Sequence, residues 1–599
     1  MRVVREHRDD LVSRIRVLTA LVTSLIAVIA AGFWFVQLVR GDEYRQLAEE
    51  NRLRKLPIKA PRGLIYDRHG RLLVENIPSY NLMLDRSRSA DQAKALGFAA
   101  GVLGRPPAEL HGILDRYRGI PEFTPVLLAE NLTLAQVSRF GVTSLEYPEF
   151  EVEVQHLRLY RHGAQTAAFL GYLGEATPDE IAASDGLYKA GDLVGKKGLE
   201  QTYDAVLRGV DGMRSVIVDS RGELLDEFGT QPAVPGKTLK LTIDLELQQE
   251  AARWLEGPEK VGAIVAMDPR NGEVLALVSS PGYNPNLFAR RLQANDWKTL
   301  LEDPYHPLQN RSIQNTYSPG STFKIIMATA GLTEGVFNEH TRVFCGGAGV
   351  FYGRRFRCWK KGGHGTVDAR LALKHSCDVY FYTMGQKMGI ERIARYSRTF
   401  GLGELTGIDI RGEKTGLVPS QEWSLKARGF KWYPGETISV SIGQGPVLMT
   451  PLQMATMTGM VANGGYRVTP HLVQGADVPA PVHVPLDAKA LKIVREGLWA
   501  VVNEAGGTAY HSARVQGAEM AGKTGTVQVI AQAQRTEAKS LPFKFRDHAW
   551  FTSFAPLQNA EIVVAVFAEH GGSGSKSAAP IAQAVHAKYF KVDLHPAAR

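Results

Sequence analysis

The sequence predicts an α/β protein of the α+β kind, with one antiparallel sheet flanked by helices in its larger domain and a membrane helix at its N-terminus. Three observations carry this. Val17 to Val39 is a run of 23 residues without a charge. Strand-like segments occur at both ends of the last 360 or so residues, with helical patterns between them. The character of the chain also changes near Gly236, where a Pro/Gly turn leads into a strand and then a helix.

The uncharged run is long enough for one membrane-spanning helix and longer than the apolar core of a secretory signal, although small residues near Ala27 to Gly32 resemble a cleavage site. Arg2, Arg5, Arg8, Arg14 and Arg16 precede it, which places residues 1–16 in the cytoplasm and everything after Arg40 outside it. Residues 40–235 read as a mixed domain. "RGLIYDRHGRLLVEN" (Arg62 to Asn76) gives two short strands around a turn, and Gly198 to Gly212 gives a helix stopped by glycine. No catalytic constellation is visible there. Residues 236–599 form the larger domain. A helix begins near Asp244, and "GAIVAMD" and "EVLALVSS" make a hairpin around Asn271-Gly272. "AGKTGTVQVI", "AWFTSFAP" and "EIVVAVFAEH" are further strands, and "SAAPIAQAVHAKYF" is a closing helix. The composition is ordinary and without fixed repeats; the net charge of +9, read as spread along the chain, fits an anionic surface nearby and gives no nucleic-acid signature.

The chemistry starts at "TYSPGSTFKIIMATA", where Ser321 and Lys324 stand one turn apart at the start of a helix. The pair alone suits an activated serine or an ordinary helix start. Single motifs recur: Ser573 to Lys576 repeats Ser-x-x-Lys in what reads as a flexible Gly/Ser loop, and Lys-Thr-Gly occurs at Lys414–Gly416 and at Lys523–Gly525. The first Lys-Thr-Gly runs into Leu-Val-Pro, where a sheet strand loses its N–H pairing, and is set aside. What remains is an ordered set: Ser321-x-x-Lys324, Ser376-x-Asp378 and Lys523-Thr524-Gly525 followed by Thr526.

That order is the signature of penicillin-binding proteins and class A β-lactamases. The chain resembles a class B penicillin-binding protein over nearly its whole length. Arg62-Gly63 with Asp67-Arg68 and Gly70 is similar to that class's membrane-proximal pedestal motif, and Gly198-Leu199-Glu200 and Gly443-Gln444-Gly445 also match. "FRCWKKGGHGTVD" and "DHAWFTSFAP" are similar to the elongation branch called penicillin-binding protein 2. Asp378 departs from the pattern, since many relatives carry Asn.

The resemblance implies a peptidoglycan D,D-transpeptidase that binds β-lactams covalently, on an elongated pedestal at the bacterial inner membrane. It also implies a glycan polymerase of the SEDS type and elongation-complex proteins as partners. Ser321 is then the nucleophile and Lys324 its base. Because a solvated lysine has a pKa of about 10.4, burial and a neighbouring cation, with Lys523 the candidate, must lower it. Ser376 relays the proton, Asp378 supplies a polar contact, and Thr524, Gly525 and Thr526 hold the substrate. The backbone N–H groups of Ser321 and Thr526 form the oxyanion hole. Acyl transfer needs no cofactor. Two rivals stand beside this reading: a non-catalytic scaffold for the polymerase, and a β-lactam sensor or β-lactamase on the same fold, for which no deacylating base is identifiable.

Cys345, Cys358 and Cys377, with His364 between the last two, are the chain's only cysteines. One reading is a Cys345–Cys358 disulfide with Cys377 buried, as export favours. The other is a Cys₃His structural zinc site, right in ligand number and softness, though C-x12-C-x5-H-x12-C is not a familiar spacing.

Overall fold

The computed structural model describes residues 2–45, 53–115, 117–119, 122, 124–189, 191–218, 224–289, 294–529 and 541–594. Ile530, the last residue of one predicted strand, lies outside them. The N-terminal helix runs Arg2–Trp34 and continues as a π-helical turn, Phe35–Val39. The most apolar 18-residue stretch of its candidate span has a mean hydropathy of 2.2 and is not buried within the protein; the span itself, Leu11–Val39, has 29 residues. At 1.5 Å per residue that is about 44 Å, more than a bilayer core needs.

The chain divides into two compact units. One comprises residues 1–61, 78–155 and 209–235. It holds a three-stranded antiparallel sheet (Leu53–Ile58, Gly212–Val218 and Leu224–Gln231) and a separate core that includes Leu82, Leu96, Phe140 and Phe150.

The other unit comprises residues 62–77, 156–208 and 236–599. Two of these segments belong by sequence to the 40–235 stretch, yet they pack with the C-terminal part of the chain. A buried charge network joins these two segments to each other. Glu200 is fully buried and accepts from Arg62 Nε at 2.6 Å and Arg158 Nε at 2.8 Å, while Arg62 also reaches Asp204 at 2.8 Å. Burial pushes the Glu200 carboxyl up, but the charges of Arg158 and Arg62 outweigh it and hold the group below the usual carboxylate range. The single helix expected over Gly198–Gly212 is two short ones, Gly198–Thr202 and Asp204–Leu207, with Tyr203 between them at φ −105°, ψ 22°.

The catalytic sheet is built from β1 (Gly262–Met267), β2 (Val274–Ser280), β3 (Ala521–Val527), β4 (His548–Ala555) and β5 (Ile562–Ala568), in the order β2-β1-β5-β4-β3, all antiparallel. Alternation sorts their side chains. Val265, Trp550 and Phe567 join the core that contains α2 (Lys324–Thr333) and α3 (Asp378–Thr399). Ile264, Phe551 and Val566 join the opposite core with α1 (Leu245–Arg253) and α4 (Ala579–Phe590). Asp244 caps α1 as its sequence position suggests, accepting from Glu246 N and Leu247 N.

The network yields a prediction. Glu200→Gln removes the one anion shared by two buried guanidiniums, and stranding a buried charge typically costs about 3–5 kcal/mol. The thermal unfolding midpoint of the variant should fall by several degrees; an unchanged midpoint would mean that the network does not hold these segments.

Candidate active site

Ser321 lies in a 3₁₀ turn, Gly320–Phe323, that leads directly into α2. The turn is held from two sides by close backbone approach. Gly443 has φ +72°, and a Cβ there would sit 2.1 Å from the Gly320 carbonyl oxygen, while Gly320 N donates to Gly443 O at 2.9 Å. On the other side lies β3, the edge strand. A Cβ on Gly525 would come within 2.9 Å of Trp550 Cβ and 3.1 Å of Pro319 O, so the third residue of Lys-Thr-Gly is small because the nucleophile's turn packs against it.

Lys324 is fully buried. Its Nζ donates to Ser376 O (3.0 Å), Ser376 Oγ (3.2 Å) and Asp378 Oδ1 (2.6 Å), which uses all three hydrogens of an ammonium. Ser376 has φ +52°, a left-handed conformation unfavourable for a residue with a Cβ. Its carbonyl accepts both Lys324 and the Trp359 indole. Asp378 opens α3 and is satisfied at both oxygens, the second by Trp359 N at 2.9 Å.

Lys523 is also fully buried, and its Nζ reaches Thr524 O at 3.1 Å. Burial, followed by the nearby Lys324 charge, pushes its pKa well below the ordinary lysine value, while Asp378 pulls the other way. The lysine expected to act as a cation toward Lys324 is therefore itself driven toward the neutral form in the free protein.

Thr524 O takes the Lys523 amine and Thr526 O takes Gln444 Nε2 at 3.3 Å, so neither carbonyl faces β4. In an antiparallel strand the N–H and C=O of one residue leave on the same side. The Thr526 N–H thus shares the free edge of β3 with its carbonyl. Thr524 Oγ1 also contacts Thr508 Oγ1 at 2.8 Å.

One cleft of about 930 Å³ collects these groups: Ser321, Ser376, Asp378, Thr524, Gly525 and Thr526 all line it. Lys324 and Lys523 are buried. Every residue assigned by the ordered motifs is in or just behind this cleft, and the Lys414–Gly416 copy lies in no strand. The comparisons then agree with the geometry. Residues 262–587 match the model of the penicillin binding protein transpeptidase domain, and residues 57–241 that of the penicillin-binding protein dimerisation domain. The chain belongs to the penicillin-binding protein transpeptidase family.

Among its relatives, the peptidoglycan D,D-transpeptidase MrdA of Haemophilus influenzae is 36% identical over 95% of this chain and 90% of its own. Among solved structures, the penicillin-binding protein PBP2 in complex with MreC from Helicobacter pylori matches with a TM-score of 0.80 at 29% identity, covering 90% of this chain and 99% of that one. A chain from a structure titled for the coordination of polymerization and crosslinking by a peptidoglycan synthase complex matches with a TM-score of 0.73 at 32% identity, covering 97% and 99%.

The four metal-type residues also converge. The ligand atoms of Cys345, Cys358, His364 and Cys377 lie within 4.8 Å of one another, and the three thiols are free. His364 Nδ1 is 3.7 Å from Cys345 Sγ and 3.6 Å from Cys358 Sγ. Those separations are close to the edge of a tetrahedron with bonds of about 2.3 Å to sulfur and 2.0 Å to nitrogen. The Cys377 thiol, in hydrogen-bond contact with Cys358, pulls the Cys358 pKa down and is itself pushed up by the same contact. Cys377 is fully buried, while its neighbours Ser376 and Asp378 line the cleft. Asp378 N also donates to Cys358 Sγ at 3.4 Å.

Sequence reasoning missed several cleft residues. Thr508 sits in a turn that carries no motif, and Trp359 lies inside a quoted segment without being singled out. The second Ser-x-x-Lys copy, read as a flexible loop, is a π-helical turn, Gly574–Ala578, and Ser573, Ser575 and Lys576 line the cleft. A Cβ on Gly574 would meet Gly525 O and Trp550 O at 2.4 Å, so this segment is packed down on the sheet.

Lys523 carries a pH prediction. Its depressed folded pKa means that its contribution to stability is fully present above the unfolded value of about 10.4 and declines as pH falls from there toward the folded value. In that window the unfolded chain binds more protons, so stability rises with pH. Lys523→Gln should flatten that slope in thermal melts taken across alkaline pH; an unaltered slope would show Lys523 to be charged in the folded protein.

Proposed function

We propose that this protein is a peptidoglycan D,D-transpeptidase that crosslinks stem peptides through a serine acyl-enzyme. The observation that carries the reading is the single cleft in which Ser321 opens toward substrate while Lys324, buried beside it, is bonded to Ser376 and Asp378.

Ser321 Oγ adds to the carbonyl carbon of the penultimate D-alanine. A C–O bond forms, the C–N bond to the terminal D-alanine breaks, and the serine proton leaves on that amine by way of Lys324 and Ser376. Lys324 Nζ, 3.2 Å from Ser376 Oγ and 2.6 Å from Asp378 Oδ1, is placed to pass the serine proton toward Ser376 while Asp378 orients it. The Ser321 and Thr526 N–H groups hold the carbonyl oxygen as it becomes negative, a contribution of roughly 3–4 kcal/mol per donor in other enzymes. Thr524 and Thr526 receive the substrate's terminal carboxylate, whose charge favours the protonated form of Lys523. The amine of a second stem peptide then adds to the ester; its C–N bond forms, the Ser321 C–O bond breaks, and an amine proton returns to Ser321.

In a β-lactam the amine released by ring opening stays tethered, so the ester persists. Likeness to the MrdA and PBP2 relatives supports a role in cell elongation and shape. On this reading the N-terminal helix spans the inner membrane with residues 1–16 in the cytoplasm. A SEDS-type glycan polymerase and elongation-complex proteins are then its partners.

Cys345, Cys358, His364 and Cys377 fit zinc by donor set, separation and burial. Bound there, zinc would supply a structural crosslink between the segment that follows α2 and the back of Ser376-x-Asp378. No step of the acyl transfer passes through it.

Intact mass after incubation with benzylpenicillin tests the chemistry. The full chain should gain one drug mass, and Ser321→Ala should gain none. Drug consumed without an adduct would indicate a β-lactamase, and folded protein doing neither would indicate a scaffold. Asp378→Asn, which removes the charge that Lys324 Nζ meets at 2.6 Å but keeps a polar group there, should change the acylation rate less than Lys324→Ala, which should slow it about a hundredfold or more; equal rates for Lys324→Ala and wild type would remove Lys324 from the proton path. Protein purified without chelator should carry one zinc per chain and lose it in Cys358→Ser. A metal-free chain with a Cys345–Cys358 bridge by mass spectrometry would overturn the zinc assignment.

A further inference from the structure

The net charge is less evenly spread than its total suggests. His340 to Val367 contains six Lys or Arg residues and no Asp or Glu, a local +6 within a chain whose total is +9. This segment includes a tight hairpin, Ala348–Phe351 paired with Arg354–Arg357. Its turn residues, Tyr352 and Gly353, both have positive φ (+46° and +76°), the conformation of a two-residue hairpin loop.

Register decides which side chains face out. Cross-strand partners share a face, so Gly349, Phe351, Arg354 and Phe356 fall on one side and Ala348, Val350, Arg355 and Arg357 on the other. The first side is the inner one, because Phe351 and Phe356 pack against Tyr382 of α3 with ring centroids 5.6 Å away. The outer side presents Arg355 and Arg357 beside Val350, which is 71% exposed. Two residues apart on one strand face, the arginines are spaced by roughly 7 Å. Directly after Arg357 come the metal-type ligand Cys358, the cleft residue Trp359, and then exposed Lys360 and Lys361.

None of Arg355, Arg357, Lys360 and Lys361 has an ion pair or side-chain hydrogen bond among the described residues. Other surface cations of this unit do find carboxylates: Lys426 with Glu422 at 2.8 Å, Arg428 with Glu436 at 2.7 Å and Arg395 with Glu334 at 2.6 Å. Two uncompensated cations on the hairpin and two just beyond Trp359, continuous with the cleft wall, favour an anionic partner that already reaches the cleft.

We infer that Arg355, Arg357, Lys360 and Lys361 form a cationic track that binds the free carboxylates of a peptidoglycan strand and guides its stem peptides to the cleft. This rests on the transpeptidase reading and deepens it. Arginine meets a carboxylate bidentately, so the outer face offers two such contacts at strand spacing, while the lysines continue the track as point charges. Among the described residues no carboxylate pairs with either arginine, and Cys358, the residue directly after Arg357, belongs to the Cys₃His cluster.

The test uses the full chain in detergent. Binding is measured to uncrosslinked glycan strands with pentapeptide stems, with their carboxylates free or amidated, at low and moderate salt. Arg355→Ala with Arg357→Ala should bind free-carboxylate strands roughly tenfold more weakly, about what two exposed charge contacts are worth. It should lose most of the salt dependence and acylate with benzylpenicillin at the wild-type rate. Arg355→Lys with Arg357→Lys should restore part of the binding, and amidated strands should bind wild type as weakly as the variant binds free ones. Equal binding by wild type and variant, or equal binding of free and amidated strands, overturns the inference. So does a variant that keeps strand binding but loses binding to phosphatidylglycerol–phosphatidylcholine vesicles, which would make the hairpin a membrane contact. If the double variant fails to acylate, Lys360→Ala with Lys361→Ala is judged by the same criteria. A wild-type chain that forms no benzylpenicillin adduct sinks the transpeptidase reading itself, whatever it does with strands.

Discussion

The site depends on where the three hydrogens of one buried ammonium go. Lys324 directs all of them at Ser376 and Asp378, and nothing else in the described structure joins α2 to the start of α3 so directly. An ammonium without water must be compensated, and the compensation here fixes geometry as well as charge. It places the Ser376 hydroxyl and one Asp378 oxygen around the amine, leaving the other Asp378 oxygen for Trp359 N. The left-handed backbone at Ser376 is held in the same way, since its carbonyl is bonded by both Lys324 and Trp359. The metal-type cluster stands directly behind, so the residue between the two catalytic-motif side chains is a third cysteine facing the body of the domain.

The second constraint is steric. The nucleophile's turn is wedged between the Gly443 turn, where only glycine fits, and the edge strand β3, where a Cβ on Gly525 would be crowded. An edge strand normally presents free N–H and C=O groups that invite pairing. Here that edge is where an extended peptide substrate would lie, with the Thr524 and Thr526 carbonyls already engaged by Lys523 and Gln444. The Gly/Ser turn of residues 573–577 packs against the same strand through Gly574. The cleft therefore has firm walls formed by segments more than 200 residues apart in sequence.

Much of this was legible in the sequence because the chemistry sits in short motifs whose order is informative. The serine, the two lysines and the Ser-x-Asp pair could be picked out because their order matches a known family signature, and the rejection of Lys414–Gly416 followed from Leu-Val-Pro behind it. The sheet was readable because strands buried on both faces leave long apolar runs such as "EIVVAVFA". Other features left no local signal. Thr508 acts through one hydroxyl contact to Thr524. Residues 62–77 and 156–208 are joined by Arg62 with Glu200, 138 residues apart, and to the C-terminal part by contacts such as Tyr203 with Asp409, 206 residues apart. The burial depth of Lys523, which bears on whether a lysine keeps its proton, cannot be read from one strand's sequence. The Ser573–Lys576 segment looked loose because glycine and serine mark both flexible loops and close packing.

The order of the strands also sets a schedule. β5, the last strand made, is the middle one, paired to β1 on one side and β4 on the other. Until residues 562–568 emerge, the β1–β2 hairpin and the β3–β4 pair have no shared neighbour, although 261 residues precede β1 and the nucleophile has long been synthesised. The halves of the cleft are thus united by a late, long-range closure, the kind of event that makes folding slow and exposes strand edges while it waits. A chain made from its N-terminal end therefore keeps the sheet's centre open, and the two halves of the cleft apart, until residues 562–568 are available.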